Sequence, residues 1–319
     1  MTSPITTDLN KAITALSSGH LCAIPTETVY GLAADATNEL AIKRVFEAKG
    51  RPTDHPLIVH VATFEDAKEW ISDFPEWAKR LAEKYWPGPL TLVGNCTALA
   101  SDLITGGQDT VAVRVPAHPI AQQLLHELMR HGVKGLVAPS ANKFGHVSPT
   151  TSKHVETDLA DYLIKHDDLI LDGGQSSVGL ESTIVLIIGS NPDILRPGAI
   201  TKADIELATG LKVSENSTSK PRVSGSLESH YSPKAEVILV NEANLPDELG
   251  AGFIGQNNVQ IPKDLTILLS APDLESYASG LYQALRHGDE LGLTKIYAVL
   301  PKGEGLAQAI SDRLTRAAH

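Results

Sequence analysis

Residues 24–36 read IPTETVYGLAADA. The apolar run that feeds them, HLCAIP (20–25), reads as a strand, and it ends in Thr26, Glu27, Thr28 and Tyr30, side chains that can all hydrogen-bond. Such a cluster either caps the next element or holds something. The same juxtaposition recurs along the chain, and that recurrence decides the fold class. EAKGRPTDHPLIVH (47–60) ends a helix in Lys49 and Arg51 just before a strand. LVAPSANKFGHVSPT (136–150) runs a strand into Ser140 and Asn142, with Ser148 beyond. VGLESTIV (178–185) sets Glu181, Ser182 and Thr183 at a strand start, and ILRPG (194–198) puts Arg196 before a Pro-Gly turn. Polar groups gathered at strand ends are where α/β sheets take ligands.

The intervening pattern alternates between helix and strand. Leu9, Ile13 and Leu16 have helical spacing, with Gly19 closing the helix. Helices are expected over 39–49, 65–73, 75–85, 118–131 and about 202–208; strands are expected in PLIVHV (56–61), LTLVG, TVAVRVP, GLVAPSA, LIKHDDLILDGG, ESTIVLIIG and ILRPG. Several strands follow one another directly, so the sheet is expected to be mixed rather than strictly doubly wound. Residues 212–234 are rich in Ser, Lys, Asn and Pro and read as a linker. After them a β-β-β-α-β-α order is expected. The expected division is 1–211, a linker at 212–234 and a small domain at 235–319.

The chain has 319 residues, of which 42% are hydrophobic and 20% charged, with a net charge of −11. That charge disfavours wrapping nucleic acid over the whole surface, though a local basic pocket is allowed. Two cysteines, Cys22 and Cys96, support neither a zinc cluster nor a disulfide framework. The N-terminal residues lack a signal-peptide pattern, no apolar run approaches the ~20 residues that span a bilayer, and a cytoplasmic location is the expectation. No P-loop or GxSxG motif occurs, and no GxGxxG follows a strand. His126 and His131 are five apart, the wrong spacing for a shared metal on a helix.

Read singly, these clusters leave alternatives open. Lys49 and Arg51 either grip a phosphate or carboxylate or are solvated charges at a helix C-terminus. Ser140, Asn142 and Ser148 are small donors suited to phosphate, and equally turn formers. Strand alternation puts Val111, Val113 and Val115 on one face and Ala112 and Arg114 on the other, so Arg114 either looks into a cleft or snorkels to the surface.

Taken together, PTETVYGL, KGRPTDHPLIVH, WPGPLTLV, DTVAVRVPAHP, PSAN, ESTIV and LRPG resemble, in order and spacing, the YrdC-type threonylcarbamoyl-AMP synthases over residues 10–210. SGSLESHYSPKAEV and the residues after it resemble the long form of that family. The resemblance implies a YrdC-like mixed twisted sheet followed by a small Rossmann-like α/β domain. It implies a reaction of L-threonine, bicarbonate and ATP giving threonylcarbamoyl-AMP and pyrophosphate. A separate tRNA threonylcarbamoyl transferase complex acts downstream, so direct tRNA binding is expected to be weak or absent. Lys49, Arg51, Ser140 and Asn142 match the catalytic set. Thr28, His60, Arg114, Ala138 and Ser182 match threonine-binding positions. Arg51, His55, Thr110, Ser140, Ser148, Arg196 and Tyr231 match ATP-binding positions, with His55 standing where some relatives have asparagine. Mg²⁺ is expected on the ATP phosphates, its protein ligands unspecified. Tyr231 lies in the linker, which is therefore expected to fold back as a lid. The related carbamoyltransferases of hydrogenase maturation carry cysteine clusters that this chain lacks. A structured-RNA-binding module, the non-enzymatic alternative, would need a broad basic stripe.

Overall fold

The computed structural model describes residues 3–214, 220–225 and 231–319. The parts of the linker at 215–219 and 226–230 lie outside the described residues.

Ten strands form one mixed sheet. In chain order they are β1 (Ile5–Thr6), β2 (Cys22–Ile24), β3 (Gly31–Asp35), β4 (Ile58–His60), β5 (Leu90–Asn95), β6 (Thr110–Arg114), β7 (Leu136–Val137), β8 (Leu169–Leu171), β9 (Thr183–Leu186) and β10 (Asp193–Arg196). Their order across the sheet is β1-β8-β2-β3-β7-β4-β6-β5-β9-β10. Around it run α1 (Leu9–Ser17), α2 (Glu39–Lys49), α3 (Phe64–Ala67), α4 (Glu76–Tyr85), α5 (Asp102–Thr105), α6 (Pro119–Arg130), α7 (Ser152–Lys165) and α8 (Lys202–Thr209). α2 shows why these segments are helical. The Asn38 side chain caps the amides of Leu40 and Ala41, Ile42, Val45 and Phe46 supply the buried stripe, and Gly50 ends the helix at φ 64°.

Register across the sheet places the site. In β6, Arg114 pairs with His60 of β4 on one side and Thr91 of β5 on the other. Side chains in one register row share a face, so His60, Arg114 and Thr91 project together. Val111, Val113 and Val115 join the large core on the opposite face, as alternation predicts.

Residues after the linker form a second sheet of four parallel strands, ordered β11-β14-β12-β13: β11 (Glu236–Val240), β12 (Gly252–Gln256), β13 (Thr266–Ala271) and β14 (Lys295–Val299). α9 (Leu274–Glu290) and α10 (Leu306–Ala317) complete it in the β-β-β-α-β-α order expected, an all-parallel Rossmann-like unit. One apolar cluster crosses between the two units, with Val29, Val147, Leu180 and Tyr231 packed among residues such as Leu281 and Ile310. No helix among the described residues is long and apolar enough to cross a membrane.

Two local expectations need correction, and one strand has no counterpart among them. Residues 152–165 form a helix, although LIKHDDLILDGG reads as strand from residue 163; the strand begins only at Leu169. Residues 31–35 form a strand, β3, despite their alanines, because pairing with β2 and β7 encloses them. The helix expected over 65–73 is one turn, closed by a Thr63–Asp66 capping box.

Candidate active site

The turn TETVYG is tied together internally and then used to hold an arginine. Thr26 Oγ1 donates to the carbonyl of Val29 (2.6 Å) and accepts from the amides of Thr28 and Val29 (3.2 Å each). Arg114, at the end of β6, donates from Nη1 to Thr28 Oγ1 (2.8 Å), from Nη2 to Glu27 Oε1 (2.6 Å) and from Nε to the Gly88 carbonyl (3.2 Å). Its side chain is only 4% exposed, so it faces inward rather than snorkelling. Glu27 Oε2 accepts the Ala117 amide at 3.0 Å, which fixes the carboxylate that fixes the arginine.

The SAN turn is strapped alongside. The Leu32 amide donates to the Pro139 carbonyl (2.7 Å) and the Ala141 amide to that of Tyr30 (2.8 Å). Gly31 is required here, because a Cβ would sit 2.9 Å from Ala138 Cβ and 3.0 Å from its carbonyl oxygen. Lys49, the last residue of α2, donates from Nζ to the carbonyls of Ser140 (2.5 Å) and Asn142 (2.7 Å). Asn142 in turn donates to the carbonyls of Lys143 and His146, while its Oδ1 is buried with no hydrogen-bond partner among the described residues.

Two further cations converge. Arg51 Nη2 donates to the Pro56 carbonyl (2.9 Å) and Ser224 Oγ (3.1 Å), and its buried Nε has no hydrogen-bond partner among the described residues. Arg196, at the end of β10, binds the Ser182 carbonyl through Nε and Nη2 (3.2 and 2.9 Å) and the Ser224 carbonyl through Nη1 (2.9 Å). Burial, helped by Arg51, lowers the Lys49 ammonium well below its ordinary value; burial likewise brings Arg51 down to about 10 and lowers Arg196. Among the described residues, the direct hydrogen bonds of these three cations go to carbonyl and hydroxyl oxygens, not to carboxylates. Buried charge held without a directly hydrogen-bonded carboxylate is costly, and an anion that joined it would lower that cost.

These groups enclose a cavity of about 50 Å³. Thr28, His60, Arg114, Ala138 and Ser182, the residues matched to threonine binding, all line it. Arg51, Ser140, Arg196 and Tyr231, four of those matched to ATP, line it too. Lys49 and Asn142 are joined to its wall through Ser140 and the SAN turn. The remaining three lie elsewhere. His55 sets its ring edge-on to Phe144, and Thr110 lines a neighbouring crevice with Val223. Ser148 is fully buried and donates to Glu181 Oε1 at 2.6 Å.

His60 stays neutral: burial, reinforced by Arg114, lowers it to about 3. Burial alone would raise the Glu181 carboxyl, but Arg313 and Arg196, with hydrogen bonds from Ser148 and Tyr282, hold it at about 2. Glu27, Ser224 and Gly225 belong to the site without being singled out by the sequence. Glu27 is visible within TETVYG, and Ser224 and Gly225 open SGSLESHYSPKAEV, whose composition reads only as a linker.

The chain matches two family models in series. Residues 14–198 match the Sua5/YciO/YrdC model, described as telomere recombination, and residues 200–319 match the C-terminal domain of threonylcarbamoyl-AMP synthase. The chain belongs to the two-domain, Sua5-type threonylcarbamoyl-AMP synthase family. It is 39% identical to the threonylcarbamoyl-AMP synthase of Pyrococcus abyssi, over 95% of this chain and 91% of that protein. The Bacillus subtilis threonylcarbamoyl-AMP synthase is 38% identical over 97% and 92%. The crystal structure of P. abyssi Sua5 complexed with L-threonine superposes with a TM-score of 0.85 at 38% identity, covering 97% of this chain and 94% of that one. The Sua5-type family is one of enzymes, and the mixed α/β fold with its C-terminal unit is the fold of this chain as well.

Proposed function

We propose that the chain is an L-threonylcarbamoyladenylate synthase, a nucleotidyltransferase that makes threonylcarbamoyl-AMP and pyrophosphate from L-threonine, bicarbonate and ATP. The product would feed a tRNA threonylcarbamoyl transferase complex that forms N6-threonylcarbamoyladenosine. The observation that carries this reading is the convergence of buried cations, held by carbonyl and hydroxyl oxygens, on one cavity beside a buried arginine and a threonine-rich turn.

In this mechanism Arg114, oriented by Glu27, receives the threonine carboxylate on its remaining N–H groups. Thr28 and Ser182 offer hydroxyls to the amino acid, Ala138 offers backbone, and neutral His60 offers a ring nitrogen rather than a competing charge. The threonine amine attacks the carbon of CO₂ and loses a proton to solvent, or attacks that of bicarbonate with loss of water, to give a carbamate. A carbamate oxygen attacks the α-phosphorus of ATP, the bond to the bridging oxygen breaks, and pyrophosphate leaves with that electron pair. Lys49, Arg51 and Arg196 stabilise the charge on the phosphates, with Ser140 and Asn142 positioning them. No protein nucleophile is needed.

Mg²⁺ would accompany ATP. Among the described residues no group of three His, Cys, Asp or Glu could hold a metal ion, and Glu181 is consumed by Ser148, Tyr282 and Arg313. The residues present make no resident metal cage, and no step above runs through the ion.

Small-molecule pockets run to about 300–1,000 Å³, far above the volume enclosed here. Ser224, Gly225 and Tyr231 of the linker line that cavity. The linker therefore works as a lid that withdraws for substrate and closes over the intermediate to exclude water. Tyr231→Ala is expected to raise the ATP KM or release more decomposed product; parent values for both would remove the lid. The substrate assignment is tested by supplying ATP, bicarbonate and each amino acid in turn while following pyrophosphate. Threonine is expected to stimulate release, and release indifferent to threonine would refute the assignment.

A further inference from the structure

The catalytic cavity continues along the same face of the sheet into a narrower crevice, and Ile58 and Ser224 line both. Thr110, Ala112 and Arg114 alternate onto this face of β6. Thr110, in the crevice wall, therefore lies four residues of strand, about 13 Å, from the arginine assigned to the threonine carboxylate. At the junction stand Arg51 and Arg196, tied to Ser224 through its Oγ (3.1 Å) and its carbonyl (2.9 Å). A nucleotide whose phosphates meet those guanidinium groups leads its base away from Arg114 and into the crevice.

The crevice suits a flat apolar ring with one polar edge. Val93, Ala112, Ile184 and Leu186 form an apolar platform, and Val223 packs on it at 5% exposure. At the rim, Gln108 brackets the backbone of Arg222. Its Oε1 accepts the Arg222 amide at 2.7 Å, and its Nε2 donates to the Arg222 carbonyl at 3.2 Å. Nε2 also donates to the carbonyl of Thr105, the last residue of α5, at 3.1 Å. That bond fixes which way the amide points, because a flipped Gln108 would set its oxygen against the Thr105 carbonyl. The side-chain ties of Arg222, to Asp54 and to the Gly106 carbonyl, are at the surface, so residues 222 and 223 can leave the crevice at modest cost.

What Gln108 holds is an N–H donor beside an acceptor. Adenine presents the same pair, its 6-amino N–H beside ring nitrogen N7 or N1. Guanine does not: O6 and N7 are both acceptors, and O6 beside N1–H reverses the order. With its amide locked, Gln108 matches adenine and meets guanine oxygen to oxygen. We propose that Gln108 is the base-selecting residue of the site, which takes the edge of adenine in place of the Arg222 backbone, with the base on the platform that Val223 covers. This rests on the synthase reading above. The competing account is that Gln108 merely ties down residue 222, and its loss would then change access for every nucleotide alike.

The test measures dissociation constants of the full chain for ATP, GTP and purine riboside triphosphate, which is ATP without its 6-amino group. The parent is expected to bind ATP at least about tenfold more tightly than either of the others. Gln108→Leu is expected to bring all of them within about threefold of one another. Should Gln108→Leu not fold, Gln108→Met, uncharged and nearly as long, enters the same comparison with the same expectation. Variants that shift every nucleotide together and keep the parent ratios would overturn the proposal in favour of the structural tie. A parent that binds ATP no better than the other two would overturn it as well. Binding needs no turnover, so a chain that selects ATP through Gln108 yet releases pyrophosphate indifferently to threonine refutes the substrate reading alone.

Discussion

Replacing Glu181 with glutamine tests the most heavily used carboxylate in the chain. The side chain is 9% exposed and accepts from Ser148, Tyr282 and Arg313 at 2.6, 2.7 and 2.9 Å. Its carboxyl is held at about 2 against an ordinary value of 4.5. That gap corresponds to about 3 kcal/mol in favour of the charged form. Glutamine offers one acceptor oxygen instead of two and turns an N–H₂ toward a donor, leaving Arg313 only Asp312 as a counter-charge. Breaking a buried pair from one side costs about 3–5 kcal/mol, and Asp312 keeps this case near the lower figure. At about 2 °C per kcal/mol for a chain of this size, the midpoint of thermal unfolding at neutral pH should fall by about 6 °C. The pH dependence has a definite sign. A folded carboxyl held below its unfolded value stabilises fully above 4.5 and loses that contribution as pH falls toward 2. Glutamine has no such contribution, so the gap between parent and variant should be widest above pH 5 and shrink to less than about half at pH 3. Calorimetry of both proteins across that range decides it. A neutral-pH difference below about 1 °C, or a gap that does not narrow on acidification, would refute the reasoning.

Because burial depresses the Lys49 ammonium, ATP should restore its proton, so binding should take up protons at pH values between its depressed value and the ordinary lysine range. Titration calorimetry in buffers of different ionisation heat reads this directly, and uptake that survives Lys49→Met would assign it elsewhere. Gly31→Ala should push β3 away from Ala138, cost about 1–3 kcal/mol of stability and raise the threonine KM at least tenfold. An unchanged KM would show that the two turns are not held in register by that contact.

Much of the fold was legible because local patterns agree with the final structure. The span 39–49 matches α2 residue for residue, since its cap, its apolar stripe and Gly50 all mark the same limits. The helix Ser152–Lys165 was missed although Val155, Leu159 and Leu163 recur every four residues; three apolar positions among acidic and hydroxyl side chains make a thin stripe. β3 was missed because alanines carry little strand preference, and its neighbours supply what its sequence does not. In the site, Lys49, Arg51, Arg114 and Ser140 were readable as charges and donors at element ends. Their partners were not: Glu27 is 87 positions from Arg114, and Glu181 is 101 from Tyr282 and 132 from Arg313. No local periodicity carries a pairing across such separations. Ser148, a small donor suited to phosphate or to a turn, donates its hydroxyl to Glu181 across 33 positions.

The span from Glu181 to Arg313 also orders events at the ribosome. The strands bearing Arg114 and Arg196 are all synthesised before the guanidinium that braces them, and 132 further residues must be added before Glu181 meets Arg313. A nascent chain that ends between Tyr231 and Arg313 carries every residue assigned to phosphate and amino acid but lacks the guanidinium that binds Glu181.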